Sequence, residues 1–438
     1  MRVLTTTPET TAADNARHAI STEDLHRFGP RTGSAAEQDR SANPTADDTW
    51  AEFRRHMPIC DRFHYLDHAA VGPLFGPAAL AMQQFTLEAS QSGDTVWPKW
   101  NQTLGRVRRC TAELIDADPS TIATIPNTTS GINLVAEGFP WKEGDNVVLP
   151  DGEFPSNLFP WLNQRSRGVE VRQVARRSGV VNVDDLMGQC DERTRIISVS
   201  WVGYATGFRV DIDQLVDRAH RRGILVLLDA IQGLGVYPIS VRQTPVDFLV
   251  ADGHKWLLGP EGFGVAMIAR EHFDRLRPTN VGWASVRESH NYAEPTFELA
   301  NAATRFESGS ANMIAAAGLH QSLDYFNTIA DRHGRSAMAD RVIDAGDRLA
   351  ESLQSAGATV RPRSTGQQRS THSSGIVWFD VPGVPPAEVR RVALDAGVVL
   401  SCRGGGVRAA IHAYNNGDDI GAITSVVRKI TNSPGITQ

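Results

Sequence analysis

From Ile122 onward short apolar runs alternate with amphipathic ones, and this alternation limits the fold more than any other feature of the chain. Residues 146–149, 169–174, 195–200, 224–229, 246–250 and 263–268 are each long enough for one strand and too short for a buried helix. Between them lie stretches such as 213–222, with apolar residues three and four apart, closed by Gly223 where a helix takes a left-handed cap. The pattern predicts an α/β fold, a mostly parallel central sheet covered by helices. In such sheets ligands bind beyond the carboxyl ends of the strands.

The flanking segments differ in composition. Residues 1–45 are rich in Thr, Ala, Ser, Asp and Arg with Phe28 as their one aromatic, too little apolar surface to offset ordering entropy, so a disordered tail is expected. Residues 46–75 should form an N-terminal segment near a smaller domain, with a helix over 49–57 and an extended piece over 63–67. Residues 76–318 should form the large ligand-binding domain. Residues 319–432 should form a small C-terminal α+β domain, entered by a linking helical region over 319–353 and holding a strand at 375–381, a helix at 386–396 and strands near Val398 and Val407.

A formal charge of −6 argues against a nucleic-acid surface. The four cysteines, Cys60, Cys110, Cys190 and Cys402, contain no CxxC pair, so neither a disulfide framework nor a thiolate metal site is expected, and a reducing cytoplasm fits. No apolar run approaches a membrane span, and the first residues lack the apolar core of a signal peptide.

Three segments carry chemistry. Asp252-Gly253-His254-Lys255-Trp256-Leu257-Leu258-Gly259 follows a strand, with glycines that permit close backbone approach and an apolar wall that would lower an ammonium pKa and favour a nucleophilic amine. Asp229 ends an apolar strand with Gln232 three residues on, where a buried carboxylate needs a cation such as a protonated pyridine nitrogen. Thr128-Thr129-Ser130-Gly131 opens a helix whose unpaired amides suit a phosphate. Taken singly, each has a plainer explanation: a surface lysine in a turn, a helix cap, a capping run.

Together, in this order, the segments resemble the class V aminotransferase and cysteine desulfurase-like family of fold type I pyridoxal-phosphate enzymes, over about 65–430. Tyr65-Leu66-Asp67-His68-Ala69-Ala70, Glu153-Phe154-Pro155-Ser156-Asn157, Phe306-Glu307-Ser308-Gly309-Ser310 and the run from Arg408 to Asn415 add to the likeness. The resemblance implies pyridoxal 5′-phosphate held as a Schiff base on Lys255, with Asp229 on its ring nitrogen and Gln232 near its phenolic oxygen. Thr128, Thr129, Asp252 and His254 would hold the cofactor and its phosphate, and Phe154 would stack where relatives often carry histidine. Ser310 would reach the cofactor of a neighbouring subunit, which implies a homodimer with shared active sites. Arg408, with Arg403 and Asn157, would bind an amino-acid substrate, the Arg408 guanidinium matching a carboxylate.

The chain departs from the family pattern in one place. Desulfurases place a sulfur-accepting cysteine on a mobile loop between the segments that hold Arg403 and Arg408, and here only four residues separate the two arginines. Cys402 lies close by, at the end of an apolar strand where a buried thiol is expected. The resemblance therefore implies C–S lyase or desulfurase-like chemistry without the loop cysteine. An epimerase like that acting on isopenicillin N, an aminotransferase, and a catalytically silent binding module of the same fold remain alternatives.

Overall fold

A computed structural model describes residues 45–432; the expected tail, up to residue 44, lies outside the described residues, as do residues 433–438. The strands in chain order are β1 (His64–Tyr65), β2 (Ile122–Ile125), β3 (Asn146–Pro150), β4 (Glu170–Val174), β5 (Thr194–Ser200), β6 (Leu225–Asp229), β7 (Phe248–Asp252), β8 (Gly264–Ile268), β9 (Thr359–Val360), β10 (Ile376–Asp380), β11 (Val398–Val399), β12 (Ser401–Arg403) and β13 (Gly406–Ala410).

The large sheet has the order β2-β8-β7-β6-β5-β3-β4. β4, β3, β5, β6 and β7 run parallel, while β8 is antiparallel to both of its neighbours. β3, β6, β7 and β8 are buried at every residue, because helices cover both faces. That is why these strands read as continuous apolar runs rather than alternating ones. The amphipathic stretch at 213–222 forms the helix Ile212–His220, capped by the Asp211 carboxylate on the Gln214 amide and burying Ile212, Leu215, Val216 and Ala219.

Two sequence expectations are corrected. The strand expected at 246–250 enters the sheet two residues later, since the buried Asp247 carboxylate accepts from the Val226 amide at 2.7 Å and pairs with His220 at 2.9 Å and His272 at 2.6 Å. This turns the chain before β7 and carries the strand on to Asp252. The helical region expected over 319–353 is two helices, Met313–His333 and Ala337–Ser355, broken at Gly334, whose φ of +88° L side chains rarely adopt. The first packs on the helices Gly76–Ser92 and Trp97–Ile115 of the large sheet's layer. The expected domain boundary after residue 318 therefore falls inside a continuous helix.

The smaller sheet, β12-β13-β10-β9, is antiparallel throughout. β1 pairs in parallel with β11, His64 opposite Val398 and Tyr65 opposite Val399, which ties the 46–75 segment to the C-terminal elements.

Candidate active site

A cavity of about 290 Å³ opens beyond the carboxyl ends of β5, β6 and β7, with Ser200, Asp229 and Asp252 on its wall. Lys255 stands three residues past the end of β7. Its turn is held from outside: the Gly72 amide donates to the His254 carbonyl at 2.7 Å, and a Cβ at position 72 would lie 2.1 Å from the Lys255 carbonyl oxygen. Leu258 closes the turn at φ +54°, a conformation costing about 1–3 kcal/mol for a side-chain-bearing residue. The Phe75 amide and the Ser322 hydroxyl, both donating to its carbonyl, hold it there.

Lys255 is 8% exposed, and its Nζ lies 5.5 Å from the Phe154 ring centroid with no hydrogen bond among the described residues. Burial pushes the ammonium pKa down, against the pull of the Asp229 charge. Asp229 is buried and accepts one hydrogen bond, from the Ile231 amide at 3.1 Å. Burial pushes its carboxyl upward, the negative charge of Glu153 adds to the rise, and Lys255 opposes it. Glu153 is held against the neighbouring strand by the amide and hydroxyl of Ser200, the residue paired with Asp229 across β5 and β6.

This pair of acids gives a pH dependence. Between the ordinary 3.8 of Asp229 and its raised value of about 7, the folded cofactor-free protein keeps a proton that the unfolded chain has lost. Its melting temperature is therefore expected to fall as pH rises through that window, and Asp229→Asn to flatten the slope. Parallel slopes in thermal melts of the two proteins would contradict this.

At the other end of the cavity the helix Thr128–Gly138 points its N-terminus inward. Asn127 caps it by accepting from the Ser130 amide at 2.9 Å, leaving the Thr128 and Thr129 amides without partners among the described residues. The Thr129 hydroxyl donates to Ser156 at 2.7 Å, and the Thr128 hydroxyl accepts from the Asp252 amide at 3.1 Å. Asp252 Oδ1 and His254 Nδ1 lie 3.1 Å apart without hydrogen-bond geometry, and both are buried without a partner. An amine, an acid, free helix amides and orphaned polar atoms around one cavity fit an aromatic aldehyde phosphate: a base-forming lysine, a ring-nitrogen acceptor and a phosphate cradle.

Phe154 is 43% exposed at the mouth, edge-on to Tyr204 with centroids 5.3 Å apart. Gln232 donates to the Ala69 carbonyl at 2.9 Å and accepts from Trp256 Nε1 at 2.7 Å, which fixes its amide beside Lys255. Arg408, 1% exposed, donates to Ser401 Oγ at 3.1 Å, the Tyr204 carbonyl at 2.6 Å and Asp67 Oδ1 at 3.0 Å. Five N–H groups and three bonds leave two without a partner among the described residues, on a residue that lines the cavity. Arg403 is exposed at the rim, its guanidinium donating to the Cys402 carbonyl at 2.8 Å.

Three residues singled out in the sequence lie off the cavity wall. Asn157 is fully buried behind it, accepting from Ser198 Oγ at 2.5 Å and Trp161 Nε1 at 3.2 Å, so it supports the wall rather than facing a ligand. Ser310 is exposed beside a separate cavity of about 510 Å³ shared with Ser130 and Asn133. Cys402 is half-buried rather than buried. Alternation along β12 places Ser401 and Arg403 on one face, with Arg403 lining the cavity, and Cys402 on the other, and burial raises the Cys402 thiol pKa.

Glu153, Asp67, Tyr204 and Gly72 acquire site roles that the sequence did not assign. Glu153 and Asp67 stand inside the Glu153–Asn157 and Tyr65–Ala70 motifs, but nothing in a linear pattern shows that one acts on Asp229 and the other bonds Arg408.

The doubly wound sheet and this cavity define a pyridoxal-phosphate-dependent enzyme of fold type I. The profile of the family described as Aminotransferase class-V matches residues 64–423, and the chain belongs to that family. A probable cysteine desulfurase of Methanothermobacter thermautotrophicus is 30% identical over 403 residues, covering 86% of this chain and 97% of the relative. The apo structure of a cysteine desulfurase from Thermococcus onnurineus NA1 superposes with a TM-score of 0.77 at 24% identity, covering 87% of this chain and 97% of that one. The cystine C–S lyase C-DES, solved with its reaction product cysteine persulfide, gives 0.78 at 22% identity, covering 85% and 99%.

Proposed function

We propose that this enzyme cleaves the C–S bond of a cysteine-type amino acid by β-elimination and releases the sulfur fragment to solvent, with no persulfide on the protein. The observation that carries the reading is the β12–β13 connection. Arg403 pairs with Gly406, so Gly404 and Gly405 alone form the turn, at φ +59° and +82°. Two left-handed residues make a tight hairpin with no length to swing a thiol into the cavity.

When bound, the cofactor supplies an electron sink for negative charge at the substrate α-carbon. Lys255, Asp229, the Thr128–Thr129 helix start and His254 would hold it, and the Phe154 ring, 5.5 Å from Lys255 Nζ, would stack on it. Arg408 binds the substrate carboxylate through its two free N–H groups, with Asp67 and Ser401 fixing the guanidinium plane. Lys255 lines the same cavity, and its amine, neutral in part because burial lowers its pKa, would take the α-proton and pass it to the departing sulfur. Phe154 has no proton to give.

Cys402→Ala is expected to retain most activity, and L-cysteine to leave no added sulfur on the Cys402 peptide by mass spectrometry. Loss of turnover together with a one-sulfur mass gain in the wild type would restore a desulfurase mechanism.

The reading includes a homodimer, supported by the exposed Ser310 outside its own chain's cavity and by the exposed Trp283, Tyr292 and Phe297. Sedimentation at assay concentration should give twice the 47.7 kDa chain mass. A fully active monomer would contradict it. Among the described residues no helix is long and apolar enough to cross a membrane, and a cytoplasmic enzyme is the proposal.

A further inference from the structure

The segment that leaves β5 serves two cavities. Tyr204 lines the active site, while Arg209 lines a separate cavity of about 460 Å³ where the large sheet's loops meet Ser370 and Thr371. Arg209 is 7% exposed, with its guanidinium carbon 4.3 Å from the centroid of the Tyr237 ring. Its main chain is pinned, the amide donating to the His372 carbonyl at 3.0 Å and the carbonyl bonded to His372 Nδ1 at 2.8 Å. Its side chain is not: no group among the described residues takes any guanidinium N–H, and Nε is wholly buried without a partner.

The other charged groups on this wall are engaged. Asp116 accepts from the Ser240 hydroxyl at 2.7 Å and pairs with Arg242 at 3.2 Å. Asp213 accepts from the Thr244 hydroxyl, and Asp211 caps its helix on the Gln214 amide at 3.0 Å. Arg335 donates to the carbonyls of Glu113 and Leu114 at 2.9 and 2.7 Å. A buried charge without a hydrogen-bonding partner is strongly disfavoured, and stacking on one tyrosine offsets only part of that. Arg209 is thus, among the described residues, the one cation lining the cavity whose guanidinium has no hydrogen-bond acceptor at all.

We propose that this cavity is a second binding site, for a small carboxylate whose two oxygens take the Arg209 guanidinium side by side. The planar fork matches a carboxylate in bidentate geometry. Asp116, Asp211 and Asp213 on the same wall repel a phosphate dianion about twice as strongly as a carboxylate monoanion, which favours the carboxylate of the two. The Thr371 hydroxyl, half-buried and without a hydrogen-bond partner among the described residues, supplies a further donor.

Propionate is a suitable probe, titrated calorimetrically into the holoenzyme at fixed ionic strength beside inorganic phosphate. Wild type should show two propionate sites, one of them at Arg408. Arg209→Gln should lose one, and Thr371→Val should weaken that same site several-fold without touching the buried charge. Crystals of the holoenzyme soaked in propionate should show it against Arg209. Isotherms unchanged in both variants, or water alone in the soaked cavity, would overturn the proposal. Phosphate binding there in preference to propionate would overturn the assignment to a carboxylate.

Discussion

Lys255→Ala is expected to lower turnover by about 10³-fold or more, because one side chain both anchors the cofactor and moves the substrate α-proton. No other amine takes its place: among the residues that line the cavity, Lys255 is the only lysine. Borohydride reduction of the wild-type holoenzyme should fix the pyridoxyl group on the peptide containing Lys255 and on no other, as read by tryptic mass mapping. A variant with residual activity above one-tenth, or a label on a different lysine, would contradict the assignment.

Asp229→Asn should keep the cofactor and lose turnover, by about 10²–10³-fold. Lys255 and the helix start at Thr128 still hold the cofactor, so its visible absorbance survives. A neutral amide, however, no longer favours a proton on the ring nitrogen, and the electron sink weakens. Occupancy measured by absorbance alongside kcat separates the two effects, and unchanged kcat at full occupancy would remove the electronic role from Asp229.

The parallel sheet was legible because its strands are buried on both faces, which writes them as unbroken apolar runs. The strand end at Asp229, the turn that holds Lys255 and the helix start at Thr128 were legible because each depends on residues adjacent in sequence. The failures have a different physical origin. Asp247 delays β7 through contacts with His220 and His272, 27 and 25 positions away. Asn157 follows the motif residue Phe154 by three positions, yet the 3-10 turn Pro155–Asn157 directs it behind the wall. Cys402 and Arg403 are neighbours in sequence and sit on opposite faces of one strand. Arg408's partners come from Asp67, Tyr204 and Ser401, so no short window could show how its guanidinium is oriented.

The central claim is that sulfur leaves this active site to solvent, and the products formed from sulfur amino acids test it most directly. The holoenzyme would be incubated with L-cysteine, L-cystine and S-substituted cysteines, followed by mass spectrometry of both small molecules and protein. β-Elimination predicts pyruvate and ammonium in equal amounts, a sulfur fragment in solution and an unmodified Cys402 peptide. Alanine as the product, with sulfur carried on Cys402, would contradict the account.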